Sequence, residues 1–147
     1  INDMKRAAIK SIKNEEAVWF GCDVGKMFHG KLGVMDMDLY DYESVFNTKF
    51  LMNKGKRLEY GDSLMTHAML FTGVDLVKGQ STKWRVENSW GTKPGNKGYY
   101  IMSDKWFDEY NYEVVIDKKY LPQRILSIFD REPVNLSPWD PMGSLAI

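Results

Sequence analysis

Between Leu64 and Asn88 the sequence holds two strand-length segments parted by a four-residue break. The first, Leu64 to Val77, is mostly apolar, with Gly73 inside it. Lys78-Gly-Gln-Ser81 reads as a turn. The second segment alternates: Trp84, Val86 and Asn88 point one way, and Lys83, Arg85 and Glu87 the other. Two such strands joined by a short turn predict an antiparallel hairpin with one buried face. A chain that must bury that face needs further strands or a helix against it.

The flanking sequence supplies them. Residues 2–14 predict a helix: Met4, Ala8 and Ile12 share a face, and Lys5, Lys10 and Lys13 are expected elsewhere on the surface. Ala17–Cys22 predicts a short buried strand. Asp23 to Tyr60 has no steady period. Its acidic-aromatic part, Asp36–Glu43, fits either a loop or an irregular helix. After the hairpin, Lys93–Gly98 predicts a second turn and Gly98–Met102 another strand. Ser103 or Asp104 can cap a short helix through Tyr110. Tyr112–Asp117 predicts a further strand, and Pro122 opens a helix to about Phe129. Glu132 to Ile147, with three prolines, reads as an extended tail. The start, Ile1-Asn-Asp-Met, reads like the inside of a longer chain.

The composition narrows the partners. Twenty basic and twenty acidic residues cancel, so no net field draws the chain to nucleic acid or an anionic membrane. No apolar run approaches the ~18 residues of a membrane span. One cysteine, Cys22, leaves no internal disulfide framework and favours a reducing compartment.

Asn88 is the residue that needs explaining. It is an amide on an otherwise apolar face, and leaving it unpaired would cost about 1–3 kcal/mol. His67, in Met65-Thr-His-Ala-Met69, stands at the start of the neighbouring strand. A lone histidine there is most simply a hydrogen-bonded core residue. Beside Asn88 it gains a second reading. An Asn oxygen accepting the imidazole N–H fixes the ring's tautomer and rotation, leaving the other nitrogen free to take a proton from a thiol. Trp90 can cover that bond and exclude water. Cys22 does not fit as the thiol, because a buried, apolar-flanked sulfur ionises poorly. Cys22, His29 and His67 also lack the spacing of a zinc site, and His29 reads as a surface or loop residue.

This layout resembles the papain-like cysteine peptidases, in which a cysteine on a helix of one domain faces a His and an Asn from a β-rich second domain. Four segments carry a closer likeness, to the C-terminal part of the bleomycin hydrolases: Ala17–Lys26, Ser63–Met69, Thr82–Gly91 and Pro138–Ile147. The resemblance implies an α+β fold: a β-rich, barrel-like antiparallel half with flanking helices over 1–131, and an extended tail over 132–147 that docks in the active-site cleft. It implies His67 as general base, Asn88 as its orienting partner, and no nucleophile in this chain. The terminal carboxylate, on Ile147, would pair with the free amino group of a substrate. It further implies a cytoplasmic homohexamer acting on unblocked peptides and bleomycin, completed by an N-terminal half of the same protein, with no metal or organic cofactor. The competing expectation is a non-catalytic interaction or scaffold domain that keeps a peptidase fold.

Overall fold

The computed structural model describes residues 1–140. Its centre is the expected hairpin. Strand β4 (His67–Val77) pairs antiparallel with β5 (Gln80–Glu87). Only Lys78 and Gly79 turn the chain, with φ of 51° and 82°. Positive φ at both central residues matches the right-handed twist of the strands, so the turn is tighter than the four residues the sequence suggested.

Around that hairpin a seven-stranded sheet curls into half a barrel. The other strands are β1 (Val18–Cys22), β2 (Phe28–His29), β3 (Val34–Met35), β6 (Tyr99–Ser103) and β7 (Asn111–Val115), in the order β2-β3-β6-β5-β4-β1-β7. All neighbours are antiparallel except β3 and β6, which run parallel. His29 therefore lies in a sheet strand and not in a loop, half-buried, with Nδ1 accepting from Leu32 N–H at 3.2 Å.

The helices cover the sheet's inner face. Helix α1 (Asn2–Lys13) packs on β1, β4 and β7. Helix α4 (Asp104–Tyr110) begins at Ser103, whose hydroxyl accepts from Trp106 N–H, and buries Trp106, Phe107 and Tyr110. The core between them is aromatic. Phe20 stacks on Phe71 with centroids 3.8 Å apart, and Trp84 and Phe107 lie 4.9 Å apart. Each buried indole is satisfied: Trp84 Nε1–H donates to Asp104 and Trp106 Nε1–H to the Lys26 carbonyl.

Lys5 departs from its expected surface position. It is 8 % exposed, with Nζ 2.7 Å from Asp104 and 2.6 Å from Asp108. Two carboxylates of α4 compensate the buried ammonium, a partnership 99 residues away in sequence. The stretch without a period holds two short helices, α2 (Tyr42–Phe46) and α3 (Lys54–Glu59), capped by Asp41 and Asn53. Near the end, α5 spans only Gln123–Leu126, with Pro122 as its N-cap. Ile128 and Phe129 stay exposed, so nothing rewards further turns and the chain closes in i→i+3 bonds instead. Residues 131–139 are exposed. The first part of the expected tail is thus exposed, and the rest, 141–147, with the role expected of Ile147, falls outside the described residues.

Candidate active site

His67 is the first residue of β4 and pairs in register with Cys22 of β1. Its side chain points to the same face as Met69 and Phe71, which are core. Standing at the end of that row, it is only half-buried. Asn88 follows the last residue of β5 and continues the inward row of Trp84 and Val86. The two strands thus bring an imidazole and a carboxamide to one rim of the half-barrel. Their separation is 2.9 Å, from His67 Nε2 to Asn88 Oδ1.

The chemistry around Asn88 assigns that bond's polarity. Oδ1 also accepts the Ser89 backbone N–H at 2.8 Å. An oxygen there suits both donors, whereas an amide nitrogen would oppose the Ser89 N–H. Nε2 therefore carries the proton and donates it, and Nδ1 is the basic nitrogen. Among the described residues Nδ1 has no hydrogen-bond partner.

Trp90 lies over this pair. Its ring is 4.9 Å from the imidazole, tilted by 32°. The indole keeps 47 % of its surface exposed, so it shields one side of the bond without sealing the site. Phe28 of β2 meets Trp90 edge-on at 6.0 Å and Tyr100 at 5.6 Å. These two supports went unread in the sequence: Phe28 lies in the stretch without a period, and Tyr99-Tyr100 offers two aromatics with no sign of which faces inward.

Cys22 is unsuited to attack. Its side chain is fully buried, and burial, with Asp23 beside it, pushes the thiol's pKa far above the ordinary range. A concavity of about 950 Å³ lies elsewhere, lined by residues such as Met27, Tyr40, Phe50 and Arg57, and includes neither His67 nor Asn88. Among the described residues no cluster of three or more His, Cys, Asp or Glu could hold a metal ion.

A base nitrogen exposed at a rim, oriented by an amide and roofed by an indole, can accept a proton from a thiol placed next to it. Residues 1–143 match the Peptidase C1-like family. The chain belongs to that family. Among its relatives, bleomycin hydrolase of Mus musculus is 56% identical over 150 residues, covering 99% of this chain and 33% of that protein. Aminopeptidase C of Listeria monocytogenes is 49% identical over 144 residues, covering 98% of this chain and 33% of that protein. A crystal structure of pepw from Lactobacillus rhamnosis superposes with a TM-score of 0.91 at 54% identity, covering 97% of this chain and 33% of that one. The chain thus spans about a third of the length of the relatives it matches, corresponding to their C-terminal part. As a Peptidase C1-like chain it has the α+β papain-like fold, and its relatives are cysteine peptidases.

Proposed function

We propose that this chain supplies the base half of a Cys-His-Asn aminopeptidase of the bleomycin hydrolase kind. The observation that carries the reading is the 2.9 Å bond from His67 Nε2–H to Asn88 Oδ1, with Nδ1 left open. A thiol brought beside Nδ1 gives up its proton there, and the thiolate attacks the substrate's amide carbonyl. The imidazolium then hands the proton to the leaving amine, and water hydrolyses the acyl-enzyme. Asn88 keeps the ring turned toward the sulfur and supports its charged form. Trp90 keeps water from competing for the bond.

The nucleophile belongs to an N-terminal half of the same protein, which also contributes most of the oxyanion donors. The relatives, three times as long as this chain, support that division. Their names support peptides with a free N-terminus, and bleomycin, as substrates. The tail, 132–147, occupies the cleft, and the Ile147 carboxylate pairs with the substrate's amino group. The assembled enzyme is a cytoplasmic homohexamer that needs no metal or organic cofactor.

The test is made in the complete enzyme. His67→Ala should abolish acylation, and Asn88→Ala should lower it less, since the base survives without its orienting partner. Equal turnover by all three forms would leave this chain a scaffold with a peptidase fold.

A further inference from the structure

Asn88 has a second polar end. Its oxygen is shared by His67 and the Ser89 N–H. Its nitrogen, Nδ2, is buried and closes no hydrogen bond among the described residues. The hydroxyl of Tyr100 is in the same condition. An orphaned polar atom in a packed core calls for a reason, and here two lie on the same inward face of neighbouring strands.

The register explains their placement. Tyr100 of β6 pairs with Val86 of β5, and Asn88 lies two residues further on the same inward face. Opposite Asn88 stands Gly98, whose carbonyl accepts the Asn88 N–H at 3.2 Å and which offers no side chain of its own. Burial raises the pKa of the Tyr100 phenol, and the nearby Asn88 side chain draws it back.

We propose that Tyr100 is a positioning residue for the His67 base, its hydroxyl oxygen accepting from Asn88 Nδ2–H and holding the carboxamide with Oδ1 toward the imidazole. The two ends of an amide are nearly the same size, so its orientation is set by what surrounds it. Turned by half a rotation, Nδ2 would meet the N–H groups of both Ser89 and His67, donor against donor. The Ser89 N–H, a donor only, selects the orientation from one side; the Tyr100 hydroxyl, which can donate or accept, then anchors the Nδ2 end that this selection turns toward it. Tyr100 is itself held by Phe28, which in turn supports Trp90 over the imidazole. Amide orientation and indole cover therefore share one aromatic row.

The inference rests on the catalytic reading of His67, and its test separates the two. In the complete peptidase, Tyr100→Phe removes one oxygen and keeps the ring. The core should fold as before, because among the described residues that oxygen closes no other hydrogen bond. The expected loss in kcat is about two- to tenfold, the size of one ordinary hydrogen bond, with KM unchanged. The alkaline limb of kcat/KM should move to lower pH, because the imidazolium loses part of its support. In an Asn88→Ala background the same substitution should change nothing further. The side-chain amide protons of Asn88, followed by NMR, should exchange faster in Tyr100→Phe. An unchanged kcat and pH profile, or effects of Tyr100→Phe and Asn88→Ala that simply add, would overturn the role of Tyr100. A His67→Ala enzyme that still turns over would instead overturn the catalytic reading itself.

Discussion

Cys22 and His67 face each other across β1 and β4, yet the sequence's one thiol is no partner for the imidazole. Register places their backbones together, while burial decides their chemistry. The Cys22 sulfur is part of the packed core and is held in its neutral form. Cys22→Ala in the complete enzyme should therefore leave kcat intact and cost only about 1 kcal/mol of stability for the small void. Assayed alone, this 147-residue chain should show no peptidase turnover. Turnover of the isolated chain that disappears with Cys22→Ala would reverse the assignment. What was readable at this scale follows from the same physics. The pairing of His67 with Asn88 could be anticipated because an amide on a strand's apolar face demands a partner, and period-two alternation says which face it is on. Lys5 was misplaced because its compensating carboxylates, Asp104 and Asp108, belong to a helix at the far end of the chain.

Elements with a period were legible, and those held by capping and side-chain bonds were not. α1, β4, β5 and β6 each repeat an apolar pattern that the core reads out. α2 and α3 bury no residue at all. α3 is fastened instead by Lys54, whose Nζ donates to the carbonyls of Asp108 and Asn111, and by Arg57, whose guanidinium pairs with Glu109. Both cations lie at the C-terminal end of α4, where free carbonyls and the helix dipole favour positive charge. The site has a comparable fastening in glycine. Gly95, at φ 62°, sits under the carbonyl of Tyr99, and a Cβ at Gly33 would come within 2.7 Å of Gly95 Cα. This contact ties the turn after Trp90 to the loop before β3. Gly95→Ala should cost about 1–3 kcal/mol through backbone strain and clash. It should also lower kcat more than a remote substitution of equal stability cost; matched kcat losses would separate the turn from the site. The Lys54 clasp should show in pH dependence. Burial lowers its pKa from 10.5 to about 8. Between those values the unfolded chain binds the proton that the folded chain has released, so this group's contribution to stability rises with pH. Denaturation measured from pH 8 to 10 should show that rise in the wild type and not in Lys54→Met.

At the scale of the molecule, the half-barrel is built to be faced by something. Its rim carries a base whose Nδ1 has no hydrogen-bond partner among the described residues, and its end-piece is apolar without being packed. Trp139, 83 % exposed, and Val134, 84 % exposed, lie on a stretch that buries nothing in this chain. Exposed side chains of that size lose free energy to water until they are covered. The other half of the cleft is the cover that the proposed function provides. In the proposed enzyme a tail seated there would end the groove with the negative charge of its carboxylate, which would pair with a substrate's free ammonium and leave no room for chain beyond it. Only bonds near the substrate's N-terminus would then reach the thiolate. Removing residues 132–147 from the complete enzyme should open the groove and shift cleavage from N-terminal residues toward internal bonds, read by mass spectrometry of the products from one blocked and one unblocked peptide. The blocked peptide should be refused by the intact enzyme and cut by the truncated one. Capping the terminal carboxylate as an amide while keeping the tail's length tests charge apart from bulk: preference for a free amino group should weaken, while internal bonds stay protected. A cleavage pattern indifferent to both changes would mean that the tail covers some other surface.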